Sequence, residues 1–138
     1  MKNVLLLGAT GSIGKSVLSV ISQNKESLNL IGISFNKNVL RYQEILEKHS
    51  PEFVYIEDYD SFKSLCSTDK ERYLNGDEEL ERLINRDDVD IIVCATSGFA
   101  GLKTAYIASK TGKKILLANK ESILSLIHIS EPTRLQQI

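Results

Sequence analysis

Short apolar runs alternate with amphipathic stretches along the chain, and each of them predicts one secondary-structure element. Residues 4–7 form an unbroken apolar run, which is typical of a strand covered on both faces in a parallel sheet. The apolar positions of residues 13–21 recur at the spacing of one helix face, and residues 28–34 form a second apolar run. The first third of the chain therefore predicts a strand, a helix and a strand in series.

The same alternation continues through the rest of the chain. We predict a helix over residues 38–49, which Pro51 stops because a proline ring cannot continue the helical hydrogen bonding. A helix over residues 99–110 is predicted to be closed by Gly112, since glycine adopts a left-handed cap at little cost. Three further apolar runs predict strands at residues 53–56, 90–95 and 115–118.

Residues 57–88 differ from their surroundings because they are polar and charged. Weaker helical patterns occur at residues 62–66 and 78–84, and we interpret the segment as peripheral helices on a linker-like stretch. Strands that alternate with helices predict an α/β fold, and right-handed crossovers leave few other topologies. We therefore expect a Rossmann-like, doubly wound, mainly parallel sheet.

Composition and charge narrow the possible functions. The 138 residues are 42% hydrophobic and 25% charged, which is the balance of one soluble globular domain. Seventeen basic and eighteen acidic residues give a net charge of -1, so no chain-wide field attracts nucleic acid or a membrane surface. The apolar runs are far shorter than the roughly 20 residues of a membrane-spanning helix. We expect a cytoplasmic protein in which Cys66 and Cys94 are two buried thiols and do not form a disulfide.

Three glycines follow the first predicted strand, at the point where the first helix begins. Gly8, Gly11 and Gly14 have the spacing Gly-x-x-Gly-x-x-Gly, which differs from the Gly-x-Gly-x-x-Gly dinucleotide fingerprint. Glycines at this position let the backbone turn tightly and approach a diphosphate, which the helix N-terminus attracts. The loop therefore favours a dinucleotide site.

A nucleoside-triphosphate loop is an alternative interpretation of the same segment. Residues 9–16 read Ala-x-x-x-x-Gly-Lys-Ser, in which Lys15 would reach the terminal phosphates and Ser16 would hold magnesium. Glu57 and Asp58 could then supply the acidic partner. The P-loop begins with glycine, however, and here that glycine falls one residue too early, so we favour the dinucleotide interpretation.

The end of the second predicted strand distinguishes NADP from NAD. An NAD site usually has an acidic residue about 20 residues beyond the glycine loop, whereas a 2′-phosphate requires a cation in its place. Residues 34–38 read Ser-Phe-Asn-Lys-Asn and contain no acid, and Lys37 supplies a positive charge. This pattern favours NADP.

Two further loops lie where ligands collect in an open parallel sheet, at the carboxyl ends of the strands. Residues 96–101 begin a helix with small side chains, which would allow a ring or a diphosphate to approach closely. Residues 119–122 read Asn-Lys-Glu-Ser directly after the last predicted strand. We expect the reactive ring of the cofactor to lie at the level of this tetrapeptide.

Taken together, these loops resemble those of a known enzyme family. Residues 8–14, 37–38, 98–102 and especially 117–122 resemble the amino-terminal NADPH-binding domain of 1-deoxy-D-xylulose 5-phosphate reductoisomerases. The resemblance spans about residues 2–123 in order and at matching intervals. It implies an NADPH-dependent oxidoreductase of non-mevalonate isoprenoid biosynthesis, which isomerises and then reduces 1-deoxy-D-xylulose 5-phosphate to 2-C-methyl-D-erythritol 4-phosphate.

The resemblance also implies roles for individual residues. Thr10, Gly11, Ser12 and Ile13 would hold the cofactor diphosphate. The adenosine end would be held by Lys37 and Asn38, with Asn36 in a position where the family frequently has glycine. Asn119 and Glu121 would contact NADPH, and Lys120 would bind the phosphate substrate.

The chain departs from the family in two respects. The family binds a divalent metal, magnesium or manganese, through an Asp-Ser-Glu motif and a later Glu, and no Asp-Ser-Glu occurs here. Residues 124–138 do not follow the family pattern, and we predict a non-native or disordered tail after a domain of residues 1–123. We therefore expect the chain alone to bind NADPH without turnover. For the full-length enzyme the resemblance implies a homodimer.

Two other functions stay open at this point. A different NAD(P)-dependent oxidoreductase could share the glycine loop, and a phosphate-binding regulatory module or P-loop nucleotide-binding protein could use residues 9–16. We assign no catalytic residue. His49 and His128 are each a lone histidine, and such a residue is more often packed or exposed than functional.

Overall fold

The computed structural model describes residues 1–67, 72–96, 98–117 and 127, and its elements follow one another as strand, helix, strand. The strands are β1 (Lys2–Leu7), β2 (Leu28–Phe35), β3 (Phe53–Ile56), β4 (Tyr73–Leu74), β5 (Ile91–Cys94) and β6 (Lys114–Leu117). The helices are α1 (Ser12–Gln23), α2 (Val39–Leu46), α3 (Tyr59–Cys66), α4 (Asp77–Ile84) and α5 (Gly98–Ser109).

Within the described residues the strands form one parallel sheet in the order β4-β3-β2-β1-β5-β6. The chain first moves outward from β1 to β4, and it then crosses to the other side of β1 to form β5 and β6. The direction of winding therefore reverses between β1 and β5, and in such sheets ligands bind beside this reversal, outside the carboxyl ends of the strands. The α/β, Rossmann-like, parallel fold expected from the sequence is confirmed.

Helices cover both faces of the sheet, which explains why the strands are apolar throughout. Val4 and Leu6 pack with residues of α1 and α2 on one face, whereas Leu5 and Leu7 pack with residues of α4 and α5 on the other. These four side chains are completely buried. Burying a large aliphatic side chain contributes about 1.5–3 kcal/mol, so the unbroken run of β1 anchors the two layers to each other.

An irregularity in β2 changes the direction of its last side chains. The pairing of β1 with β2 shifts between Val4, opposite Leu30, and Leu5, opposite Gly32. Because side chains alternate along a strand, this extra residue places Phe35 in the core beside α2 and turns Ser34 toward the α5 side of the sheet. The bulge therefore supplies a hydroxyl group at the edge where the loops meet.

Three aromatic side chains fix the start of α2 against the sheet. The ring of Tyr42 stacks on Phe35 with their centroids 4.8 Å apart, and its hydroxyl group lies 2.9 Å from that of Tyr73. Tyr42 is completely buried, and burial is the main reason that its pKa is raised. The phenol therefore stays neutral, and the turn that carries Lys37 is held between β2 and α2.

Two details of the sequence interpretation need correction. Helix α2 ends at Leu46 and not at residue 49, because Glu47 and Lys48 donate to the carbonyls of Glu44 and Ile45 and so tighten the last turn.

Residues 57–88 are not a linker-like stretch. They contain β4, a strand of two residues paired with β3, and α4, whose Leu80, Leu83 and Ile84 enter the core.

The described part of the chain contains no helix that is both long and apolar enough to cross a membrane.

The two cysteines are free thiols, as expected, but only Cys94 is buried, so the expectation of a buried thiol is wrong for Cys66. Cys94 is buried in β5, and burial raises its pKa to about 11, whereas Cys66 at the end of α3 is partly exposed. The thiolate is the reactive form, so we predict that iodoacetamide at about pH 8 alkylates Cys66 and spares Cys94. Peptide mass spectrometry gives the two rates. In urea both thiols should react, and equal rates in the folded protein would contradict the buried position of Cys94.

Candidate functional site

Four parallel strands end at the same edge of the sheet, and their loops line an open cavity of about 280 Å³. Gly8 follows β1, Asn36 follows β2, Glu57 follows β3 and Thr96 follows β5, and all four residues line the cavity. Thr10 and Gly11 also line it. The volume is close to the lower end of the ~300–1,000 Å³ range of small-molecule sites.

Two of the three loop glycines are required by close packing. Gly8 has a φ of +93°, and a Cβ atom there would lie 2.7 Å from the carbonyl carbon of Ala95 and from the amide nitrogen of Thr96. A Cβ atom on Gly14 would lie 2.5 Å from the carbonyl oxygens of both Gly8 and Ala9. Gly8 therefore brings the β1 and β5 loops together, and Gly14 lets α1 pack directly on the loop.

Gly11 has a different role, because a Cβ atom there would meet nothing within 4 Å. It occupies the N-cap position of α1, which has no side-chain cap and no acidic residue in its first turn. The first backbone amides of a helix have no partner inside the helix and carry a partial positive charge. An open glycine beside these amides leaves room for an anionic group to reach them.

The loop is also tied to the end of β2. The amide of Gly8 donates to the hydroxyl oxygen of Ser34 at 2.8 Å, and the amide of Ala9 donates to the carbonyl oxygen of Ser34 at 2.8 Å. These bonds use the first two loop amides internally, whereas the first turn of α1, which includes Ser12 and Ile13, begins directly after the open Gly11. The loop therefore has a first part, Gly8 and Ala9, whose amides are bonded within the protein, and a second part, at Gly11, that is open.

The turn after β2 carries the cation expected from the sequence. Lys37 is exposed, and the side chain of Asn38 caps α2 by accepting a bond of 3.1 Å from the amide of Arg41. Hydrogen bonds from the hydroxyl and amide groups of Ser61 hold the pKa of Asp58 below its usual value, and the Lys37 ammonium lowers it further. An acid therefore lies near Lys37 in space, but it serves as the cap of α3.

The P-loop interpretation fits this geometry less well than the dinucleotide interpretation. Lys15 lines a separate groove of about 440 Å³ between α1 and α2, and does not line the cavity at the sheet edge. The Ser16 hydroxyl lies 3.4 Å from the carbonyl oxygen of Ser12, within its own helix. These two side chains would have to face one bound phosphate group and its metal ion in a P-loop.

The loop after β5 brings backbone close to the cavity. A Cβ atom on Gly101 would lie 2.0 Å from the carbonyl oxygen of Thr96, so only glycine allows α5 to start against this loop. Ala100, one residue earlier, lines the cavity. The predicted contacts of Asn119, Lys120 and Glu121 lie outside the described residues.

Ser34 and Glu57 line the cavity, although the dinucleotide interpretation of the sequence gave neither of them a ligand contact. Ser34 enters it because of the bulge in β2, and Glu57 enters it because β3 ends beside β2. The position of Glu57 directly after a predicted strand was a usable signal, because strand ends collect at one edge. The direction of Ser34 had no signal in the sequence, since a bulge depends on pairing with another strand.

Three features of this edge act together. A glycine loop joins β1 to the unblocked N-terminus of α1, a cation follows β2, and the cavity lies beside the reversal in strand order. This combination defines a dinucleotide-binding α/β domain, in which the helix N-terminus receives a diphosphate.

Residues 4–126 match the family model described as 1-deoxy-D-xylulose 5-phosphate reductoisomerase, and the chain belongs to this family. The enzyme of that name from Ruthia magnifica is 39% identical over 126 residues, which cover 90% of this chain and 33% of the relative. The one from Clostridium perfringens is 37% identical over 129 residues, or 90% of this chain and 34% of the relative. The chain therefore spans about one third of the length of these curated relatives.

Solved structures of the same enzyme share the fold. A crystal structure of the reductoisomerase in complex with NADPH, fosmidomycin and magnesium is 29% identical and has a TM-score of 0.78, covering 96% of this chain and 34% of that one. The Zymomonas mobilis enzyme in complex with NADPH is 29% identical, with a TM-score of 0.73 and coverage of 95% and 36%.

Among the described residues, no group of three or more His, Cys, Asp or Glu side chains could hold a metal ion. We assign no metal ligand to this part of the chain.

Proposed function

We propose that residues 1–123 form the NADPH-binding domain of a 1-deoxy-D-xylulose 5-phosphate reductoisomerase and that the cavity at the sheet edge receives the cofactor. The observation that carries this proposal is the contrast between Gly8 and Gly14, which are packed against backbone, and Gly11, which is open. That division matches the roles of the glycines in dinucleotide loops: tight turn, approach of the diphosphate, and packing of the helix. Structural relatives that contain NADPH support the choice of cofactor.

Of the predicted contacts, Thr10, Gly11 and Asn36 line the cavity at the sheet edge. Thr10, Gly11 and the first-turn amides of Ser12 and Ile13 would hold the diphosphate at the positive end of α1. Asn36, Lys37 and Asn38 would surround the phosphorylated adenosine end at the β2 turn. Two further cofactor contacts and one substrate contact are proposed for Asn119, Glu121 and Lys120 respectively, from the family resemblance.

When bound, NADPH supplies the hydride that reduces the aldehyde formed by isomerisation of 1-deoxy-D-xylulose 5-phosphate. The residues of this chain would bind and orient the cofactor, and its diphosphate would replace water at the exposed helix amides. The divalent metal of the family would be held by carboxylates of the Asp-Ser-Glu motif, which these 138 residues do not contain. We therefore expect the chain alone to bind NADPH without converting the substrate. The non-native tail, the cytoplasmic compartment and the homodimer stay predictions.

A fluorescence titration tests the proposed function. NADPH emission is followed as the 138-residue chain is added, with NADH and ATP as competitors. We expect tight binding of NADPH, weak displacement by NADH and none by ATP. Displacement of NADPH by ATP at comparable concentration would favour the P-loop alternative, and equal affinity for NADH and NADPH would favour a different oxidoreductase.

Reversing the charge at position 37 tests the choice between the two cofactors. In Lys37→Asp the 2′-phosphate would face a carboxylate in place of an ammonium, so we expect the preference for NADPH over NADH to fall about tenfold or more, equivalent to at least ~1.4 kcal/mol. The dissociation constants of both nucleotides give this ratio. Lys25→Asp is the matched control, since Lys25 is exposed beyond the far end of α1. An unchanged ratio in Lys37→Asp would refute the assigned role.

A further inference from the structure

The cavity at the sheet edge continues past the glycine loop into a narrow cleft between β3 and α5. The cleft has a volume of about 20 Å³, and Ser34, Glu57, Thr96 and Ala100 line both spaces. Tyr55, Leu80, Lys103 and Thr104 line only the cleft. The two spaces therefore form one path that leads from the open N-terminus of α1 toward the end of β3.

Glu57 is held firmly beside this path. Its amide donates to the carbonyl oxygen of Phe35 at 2.9 Å, and its own carbonyl oxygen lies 3.3 Å from the Nδ2 donor of Asn75. Because both backbone groups are bonded, the carboxylate can move only by side-chain rotation. Glu57 is exposed, so a ligand can reach its carboxylate from solvent, while the backbone that carries it is fixed at the end of β3.

The carboxylate of Glu57 is available to a ligand. The nearby ammonium group of Lys103 bonds to Asp77, and no ion pair involves Glu57 within the part of the chain that the structure describes. The Asp77 carboxylate is the main cause of the raised pKa of Lys103, and the charge of Glu57 adds to it. The positive charge of Lys103 therefore acts on Glu57, but the two side chains form no ion pair.

An ionised carboxylate only accepts hydrogen bonds, so it selects for a ligand group that donates. If the diphosphate lies at α1 and the ribose phosphate at Lys37, the base is the remaining part of the adenosine end, and Glu57 is the acid that lines this side of the cavity. The exocyclic amino group of adenine is a donor, whereas hypoxanthine has an oxygen at the same position. We infer that Glu57 is a specificity-determining residue that accepts a hydrogen bond from the amino group of adenine, an inference that rests on the proposed function.

The test compares reduced NADPH with its analogue in which hypoxanthine replaces adenine. For the unaltered chain we expect the analogue to bind about tenfold more weakly, because its oxygen faces a carboxylate and one charge-assisted hydrogen bond is lost. In Glu57→Gln the side-chain amide can accept from adenine or donate to hypoxanthine, so the ratio of the two dissociation constants should fall toward one. Tighter binding of the analogue should account for part of this change, which a merely structural role of Glu57 would not produce.

Glu52→Gln is the matched control, because Glu52 is an exposed acid just before β3, at the opposite edge of the sheet. It should keep the tenfold ratio. Equal affinity of the unaltered chain for both nucleotides, or an unchanged ratio in Glu57→Gln, would overturn the inference while leaving the proposed function in place. Failure of the unaltered chain to bind either nucleotide would overturn both.

Discussion

Replacing Gly11 with valine is expected to weaken NADPH binding strongly while the domain stays folded. Gly11 has φ −81° and ψ 178°, an extended conformation that any residue adopts, and an added Cβ atom would meet nothing within 4 Å. The branched side chain would, however, fill the space that the diphosphate needs to reach the amides of α1. We expect the dissociation constant for NADPH to rise about 100-fold or more, which corresponds to ~2.7 kcal/mol or more.

Unfolding in urea separates this effect from loss of structure. Replacing a glycine reduces the conformational freedom of the unfolded chain, which changes stability only slightly where the native backbone suits any residue. The free energy of unfolding of Gly11→Val should therefore stay within about 1 kcal/mol of the original value. Gly11→Ala should weaken binding less than Gly11→Val, because its side chain is smaller. Binding of NADPH to Gly11→Val with the original affinity would show that the diphosphate lies elsewhere.

The opposite pattern is expected for Gly8→Ala, which should destabilise the fold itself. Gly8 has a φ of +93°, and its added Cβ atom would lie 2.7 Å from backbone atoms of Ala95 and Thr96. Backbone strain of about 1–3 kcal/mol and overpacking of about 1–3 kcal/mol act together. We expect the free energy of unfolding to fall by about 3 kcal/mol or more, a large fraction of the stability of a domain of this size.

Gly76→Ala is the matched control for this prediction. Gly76 also has a positive φ, of +99°, but an added Cβ atom would meet nothing within 4 Å. It therefore carries the strain without the clash, and its cost should be that of the strain alone, about 1–3 kcal/mol. Equal destabilisation by the two substitutions would contradict the close approach of the β1 and β5 loops.

The parts of this fold that depend on local sequence could be predicted, and those that depend on pairing could not. The run at residues 4–7 predicts a buried strand because every residue in it is apolar, and the pattern of residues 13–21 predicts the inner face of α1. In contrast, β4 has two residues and exists only through its pairing with β3. No periodicity can be detected in so short a segment.

The same distinction applies to the candidate site. The glycine loop and Lys37 could be found from the sequence, since their chemistry follows from residue type and from their place after a strand. Ser34 could not, because its direction results from a bulge that only the register with β1 reveals. The open position of Gly11 and the packed position of Gly8 also differ only in the structure, since both are glycines of one loop.

Binding of NADPH at the edge of the sheet beside Gly8 and Gly11 is tested most directly by NMR. Amide spectra of the ¹⁵N-labelled 138-residue chain are recorded as NADPH is added. The proposed site predicts the largest shift changes in the loop after β1, at the β2 turn, at Glu57 and at Thr96, with little change in the groove between α1 and α2. Shift changes concentrated at Lys15, Arg41 and Lys48 in that groove, or none at the glycine loop, would contradict it.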